Sequence, residues 1–330
     1  MALIDVSIVI PTFNRCAFVK QAVDSALKQS GFSVEIIVVD DGSTDETPRV
    51  LERIPGIRYL RQEHRGASCA RNRALREVRG EFVKFLDSDD ELLPNTLASH
   101  VKSMREKSLD LLFLDWIENV SRQDKRCFSV VKKNAWGKYP DFPNGFLKKF
   151  PGPPLSWLIR RSALKELRWN EALPCYQDYE FLFGLMVGGL RIGYRPEIAG
   201  IYHAHKTPPR IALLDEELKG LVRNKVLDGF VVRLQAANKL SETTKQALAT
   251  HYWLTARRFY RRTEKRDFEE VLSKIHRLTP NFIPLEGSLF VRWAVRFLGI
   301  PKSERLFAVI RSITPIRLRR LIGRWTTIAA

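Results

Sequence analysis

The sequence predicts an α/β fold, a mostly parallel sheet flanked by helices, followed by a basic C-terminal helical region. Three observations predict it. Over the first 90 or so residues, short β-branched runs alternate with amphipathic stretches, which is the pattern of βα units. The expected strands are apolar on both faces, as strands lying between two helix layers must be. The charge is uneven: of a net +18 over 330 residues, the part up to His205 carries 30 basic and 26 acidic side chains and the part beyond it 25 and 11.

The elements follow in order. Val6 to Ile10 reads as a strand stopped by Pro11, and Ala17 to Gln29 as a helix. Val34 to Val39 is a strand, Thr44 to Arg53 a helix and Ile57 to Arg61 a short strand. Ala67 to Val78 is a helix and Phe82 to Leu86 a strand. After Pro94 come a helix, a strand at Leu111 to Asp115, and an irregular stretch from about 119 to 154. In that stretch Trp136, Tyr139, Phe142 and Phe146 lie among lysines, which reads either as an acceptor-binding loop or as plain packing. Leu155 to Ile159 is a strand, Ser162 opens a helix, Gln177 to Val187 is a second helix, and strands lie near Leu190 to Tyr194 and Ile198 to His203. Beyond Pro208 and Pro209 the chain reads as helical and Arg-rich, with breaks at Pro280, Pro301 and Pro315. The expected domains are 1–210, in two halves (1–93 and 94–210), and a basic helical region, 211–330.

Composition narrows the function classes. A hydrophobic content of 45% excludes disorder as a description of the whole chain. Cys16, Cys69, Cys127 and Cys175 form no C-x-x-C pair and read as reduced thiols. The N-terminus lacks the basic n-region of a signal peptide, and the longest charge-free apolar run, Phe181 to Leu190, has half the roughly 20 residues of a membrane span. A cytoplasmic protein is expected. A charge of +18 invites a nucleic-acid reading, but its surplus lies in the last third, so no nucleic-acid partner is expected.

Polar residues collect where the expected strands end. Thr12 and Asn14 follow the first, Asp40 and Asp41 the second, and Asp87, Ser88, Asp89 and Asp90 the Phe82 to Leu86 strand. In an open α/β sheet that edge is where ligands bind. Three carboxylates within four residues repel one another unless something positive lies among them, and hard oxygen donors suit Mg²⁺ or Mn²⁺. The same residues also read as a solvated acidic turn. Asp40-Asp41-Gly42-Ser43-Thr44-Asp45 reads both as a tight turn with a helix cap and as an acceptor of hydrogen bonds from a base or ribose. Gly66 to Asn72 opens a helix, and Arg71, one turn in, reads either as a group that reaches a bound anion or as a surface residue of an Arg-rich helix.

These segments, with Val6 to Arg15 and the Pro94 that follows the acidic cluster, carry a resemblance. Residues 5 to about 205 resemble a family 2 glycosyltransferase of the inverting type, with the Rossmann-like GT-A fold. The resemblance implies that Pro11, Thr12 and Asn14 line the nucleotide pocket and that Asp41, with Asp40 behind it, contacts the base, commonly uracil. It implies that Arg71 approaches the diphosphate, that Asp87 and Ser88 lie on the ribose or sugar side, and that Asp89 holds a divalent Mn²⁺ or Mg²⁺. The catalytic base falls on Asp178 in Tyr176-Gln177-Asp178-Tyr179-Glu180, where Gln177 departs from the family's more frequent Glu, and Glu180 is the competing carboxylate. In Tyr202-His203-Ala204-His205, the resemblance implies His205 as a metal or phosphate contact, and the pair also reads as two surface histidines in a turn ahead of Pro208.

The implied function is transfer of a sugar from a nucleotide-sugar donor, a UDP-sugar by expectation, to a hydroxyl of a glycan or lipid-linked acceptor in polysaccharide or glycoconjugate synthesis. A nucleotidyltransferase is the rival enzyme, but its first loop would be Gly-rich and Pro11 to Arg15 contains no glycine. An inactive basic binding module is the other rival. From Phe290 to Trp325, arginines interleave with Leu, Ile, Val, Phe and Trp. That pattern reads either as a helical subdomain packed on a core or as peripheral contact with the inner face of an anionic membrane.

Overall fold

Seven consecutive buried residues make the first strand the centre of a sheet. The computed structural model describes residues 4–121, 127–204, 214–261, 265–285 and 288–313, in two units, Met1–Leu213 and Leu214–Ala330. In the first unit β1 (Val6–Thr12) leads through α1 (Cys16–Leu27) to β2 (Val34–Asp40), and α2 (Thr47–Glu52) leads to β3 (Arg58–Arg61). Next come α3 (Ala67–Leu75), β4 (Phe82–Phe85), the two-residue β5 (Glu91–Leu92) and α4 (Leu97–Glu106). The rest is β6 (Leu111–Ser121), β7 (Cys127–Lys132), α5 (Asn144–Lys148), β8 (Trp157–Arg160), α6 (Arg161–Leu164), α7 (Gln177–Val187) and β9 (Ile192–Ala204).

The sheet runs β3-β2-β1-β4-β8-β6-β9-β5, with β7 paired to β6. β1 to β4 are parallel throughout, and β6 is parallel to β9. β8 lies antiparallel between the two groups, and β5 and β7 are antiparallel to β9 and β6. This mixed sheet with helices is the expected α/β class. The register pairs Thr12 with Asp40 and Asp40 with Arg61, so the ends of three parallel strands lie at one edge.

Three stretches differ from the sequence reading. The region from 119 to 154 is not irregular throughout: β6 continues to Ser121, β7 pairs back on it, and α5 follows. Val130 and Val131 are exposed, and the hairpin is held by backbone pairing with a Lys132–Glu118 ion pair at 2.7 Å, so no hydrophobic alternation announces it. The two strands expected around Pro196 are one strand. The register with β6 jumps from Leu114–Arg195 to Asp115–Ile198, and this bulge absorbs Pro196, which has no N–H to give a ladder. Finally, β4 is not wholly apolar, because Lys84 lies on it fully buried.

The second unit is helical: α8 (Glu216–Ala236), α9 (Glu242–Arg261), α10 (Lys265–Leu278) and α11 (Leu289–Ile313). Asp215 caps α8 by accepting from Glu217 N at 2.8 Å. Leu227, Phe230, Leu248, Trp253 and Ile275 are buried within this unit, and Arg257 of α9 pairs with Glu304 of α11 at 2.7 Å out of contact with water. Gly299, at φ 71°, and Pro301 break α11 in two. Pro280 separates α10 from α11 as expected, and Pro315 lies outside the described residues.

Candidate active site

The turns after β1 and β2 are laced together. Asp40 is fully buried, accepting from Ser43 N at 2.9 Å and from the Tyr59 hydroxyl at 3.1 Å, with Arg61 Nε 3.6 Å away. Burial and then the Asp40 charge push the Tyr59 phenol up to about 12, so it stays a hydrogen-bond donor. The Asp41 carboxylate accepts from Gln62 Nε2 at 2.7 Å, Arg65 N at 3.0 Å and Gly66 N at 2.7 Å, and His64 Nδ1 lies 2.8 Å from it. Gly42 is required between them: its φ is 80°, and a Cβ there would stand 2.8 Å from the His64 nitrogen. Asn14, at φ 50°, accepts from Thr44 N at 2.8 Å and donates its own N–H to Ser43 Oγ at 2.9 Å. The ring of Phe13 stacks on His64 with centroids 3.9 Å apart. Pro11 and Thr12, the last residues of β1, form the buried floor of this edge.

Two hydroxyls near this edge are buried without a hydrogen-bond partner, Thr12 Oγ1 and Ser68 Oγ in the first turn of α3. Such groups cost free energy unless something supplies the missing bond. Gly66, at φ 94°, precedes α3, whose first N–H groups form an anion-attracting end. Arg71 one turn later is buried, and its Nη2 lies 2.6 Å from Asp87 Oδ1 while its guanidinium covers the Trp169 ring at 4.5 Å.

The carboxylates of Asp87, Asp89 and Asp90, beyond the end of β4, separate rather than cluster, which is how like charges coexist here. Asp87 meets Arg71. Asp89 meets Arg15 Nη2 at 3.6 Å. Asp90 turns inward and accepts from His203 N at 3.0 Å, and Ser88 is buried between them. The His203 ring lies 2.7 Å from Glu91. His205 lies outside the described residues. Among the described residues no group of three or more His, Cys, Asp or Glu side chains is arranged to hold a metal ion. The carboxylates of Asp87 and Asp89, 30% and 16% exposed, have the chemistry of hard-cation ligands. They fit a divalent ion whose other ligands are phosphate oxygens and water.

Asp178 stands in the first turn of α7, next to the left-handed Tyr176 at φ 59°. Its Oδ1 accepts from Tyr179 N at 2.8 Å. Burial raises its pKa; the Tyr179 N–H and the Arg71 charge oppose that, and the Asp87 charge reinforces it. Asp178, Arg71 and Asp87 therefore share one electrostatic environment although they are far apart in sequence. An aromatic stack brings them together: Trp169 lies flat on Phe181 of α7 at 4.1 Å and edge-on to Phe85 of β4 at 5.1 Å. Asn72 fixes Trp169 by donating to its O and accepting from its N, both at 2.8 Å. Glu180, the competing carboxylate, is buried on α7.

Trp169 and His64 were not singled out by the sequence. Phe13 and Arg15, inside the Val6 to Arg15 segment, and Asn72, inside the Gly66 to Asn72 segment, lay in motifs but were given no role. The aromatics of the 119–154 stretch pack inward: Phe146 is fully buried against Tyr179 at 4.9 Å and Phe183 at 5.4 Å, and Trp136 is buried on Phe113 at 5.5 Å. Those faces serve packing, and Tyr139 remains half-exposed.

Residues 7–168 match the profile of glycosyl transferase family 2. The chain carries a family 2 glycosyltransferase domain. The succinoglycan biosynthesis protein ExoO of Rhizobium meliloti is 27% identical over 251 residues, which are 70% of this chain and 72% of that protein. The Campylobacter jejuni GalNAc(5)-diNAcBac-PP-undecaprenol beta-1,3-glucosyltransferase is 32% identical over 172 residues, 50% of this chain and 54% of that enzyme, so the match spans about half its length. The fold is that of the structure of S. aureus TarS 1-349 in complex with UDP-GlcNAc, with a TM-score of 0.72 at 19% identity, covering 95% of this chain and 93% of that one. This is the GT-A glycosyltransferase fold. The glycosyltransferase family and its polysaccharide-synthesis relatives do not favour the nucleotidyltransferase and binding-module readings.

Proposed function

We propose that this glycosyltransferase moves a sugar from a UDP-sugar to a hydroxyl of a glycan or lipid-linked acceptor by one in-line displacement, with inversion at the anomeric carbon. The observation that carries the reading is the joining of Asp178, Arg71 and Asp87 at the strand-end edge of the sheet. Asp178 takes the proton of the acceptor hydroxyl, and its raised pKa suits a base facing an alcohol. Arg71 holds Asp87 in place and keeps positive charge close to where the diphosphate leaves. Pro11, Thr12, Asn14 and the Asp40–Asp41 turn form the nucleotide side, with Asp40 buttressing Asp41. Thr12 Oγ1 and Ser68 Oγ, buried without partners, are supplied with hydrogen bonds by the donor. Ser88 and Asp87 face the ribose or sugar.

Asp89 would hold the Mn²⁺ or Mg²⁺, with His205 as a further ligand, and the ion would neutralise the charge that develops on the leaving diphosphate. No described helix is long and apolar enough to cross a membrane. We assign the chain to the cytoplasmic face of a membrane, where a lipid-linked acceptor is met.

A panel of nucleotide sugars with Mn²⁺, read by thermal shift and by slow hydrolysis, tests donor and metal together. A UDP-sugar is expected to raise Tm most and to be hydrolysed. Preference for another base, or no stabilisation by any donor, contradicts the reading. Asp89→Ala is expected to remove the Mn²⁺ dependence of UDP affinity, and unchanged dependence refutes its role.

A further inference from the structure

We propose that the exposed face of α11 around Trp293 docks this chain on a membrane leaflet carrying anionic lipid. The inference narrows the membrane contact of the proposed function to one helix face, and it rests on no step of the transfer reaction.

Before the break at Gly299, α11 has two faces. Val291, Ala294 and Val295 are buried and form the packed face. On the opposite side Leu289 is 83%, Trp293 51% and Phe297 65% exposed. At about 100° per residue these three, spaced four apart, lie on one stripe. The rings are continuous along it: Phe290 stacks on Trp293 at 6.4 Å, and Trp293 meets Phe297 at 5.6 Å. Arg292 and Arg296, both exposed, border the stripe along one edge.

An apolar core needs one buried face of a helix, and this helix already has one. A second face with three large exposed apolar side chains is an interaction surface rather than scattered surface residues. Arginines on the border of an aromatic stripe match an interface that is apolar at acyl depth and negatively charged at headgroup level. The charge surplus of the chain beyond His205, 25 basic against 11 acidic, adds long-range attraction of the same sign. A second copy would leave that surplus without a counterpart, because this chain is itself basic.

The test uses the full chain, co-sedimented with vesicles of phosphatidylcholine alone and of phosphatidylcholine with 30% phosphatidylglycerol. Binding to the mixed vesicles and little binding to neutral ones is expected. W293S/F297S should weaken mixed-vesicle binding at least ten-fold. Each arginine near an anionic surface is worth roughly five-fold, so R292E/R296E should lose at least ten-fold and with it the preference for anionic lipid. All four side chains are solvent-exposed, so both variants should keep the wild-type Tm and the wild-type rate of UDP-sugar hydrolysis. Equal binding of wild type to both vesicles, or binding that neither pair of substitutions changes, overturns the proposal. Size-exclusion chromatography adds a further arm: a wild-type dimer dissociated by W293S/F297S, with no vesicle binding, makes the occupant a second copy and also overturns it. Failure of the glycosyltransferase reading would show instead as absent hydrolysis in wild type and variants alike, leaving the vesicle result intact.

Discussion

Lys84 is a costly residue to bury in the sheet. It lies on β4 opposite Ile8, fully buried, with no hydrogen-bond partner at Nζ, and burial alone pulls its pKa down to about 7. His100 is buried nearby and its pKa falls to about 3, first through burial and then through the Lys84 charge, while its Nε2 stands 3.2 Å from Glu197. The unfolded chain releases the Lys84 proton near its ordinary 10.5 and the folded protein near 7, so the unfolded state binds more protons between those values. Stability therefore rises with pH across that window, and the penalty is complete below it. Lys84→Met should raise Tm at pH 7 and flatten the rise between pH 7 and 10; an unchanged Tm and slope would contradict this. Asp178 has the opposite signature in activity. A base must be ionised, so its raised pKa predicts that kcat falls on the acid side at a pH above the ordinary aspartate value of 3.8. An acid limb at or below that value would remove Asp178 as the group responsible.

At the scale of elements, the site depends on α7 being set against β4, and Trp169 is the spacer between them. Its backbone is gripped by the Asn72 amide through two hydrogen bonds at 2.8 Å. Asn72→Ala leaves a buried N–H and C=O unpaired, at about 1–3 kcal/mol. It should lower the urea midpoint and reduce kcat more than the affinity for UDP, because Asp178 is displaced while the nucleotide edge is untouched. Equal urea midpoints and equal kcat would show that Asn72 does not position α7. This arrangement also marks where sequence reading stops. Asp40, Asp41, Asp87 and Asp89 are legible because carboxylates that end apolar strands are a local signal. Trp169, and the pairing of Arg15 with Asp89, are not, because the partners lie far along the chain and only the fold brings them together. The β6–β7 hairpin was hidden for another reason: its backbone ladder joins half-buried residues of β6 to mostly exposed ones of β7, and the hydrophobic period that betrays a strand with one buried face is missing.

Across the whole molecule, the uneven charge visible in the sequence now has places to go. The first unit is nearly balanced, and its carboxylates are engaged one by one: Asp41 with the loop around Gly66, Asp87 with Arg71, Asp89 with Arg15. The second unit carries the surplus and presents part of it beside Trp293. Of the two readings of the last third, the packed subdomain describes the buried face of α11, and membrane contact is what we propose for its exposed apolar face. The proposals place chemistry and location on different units of one chain, so the chemistry can be tested alone. The most direct measurement is turnover and UDP affinity of Asp178→Asn, which keeps the shape of the side chain and removes its basicity. Transfer should fall by about 10²- to 10⁴-fold with UDP affinity close to wild type. Transfer near the wild-type rate would contradict the account.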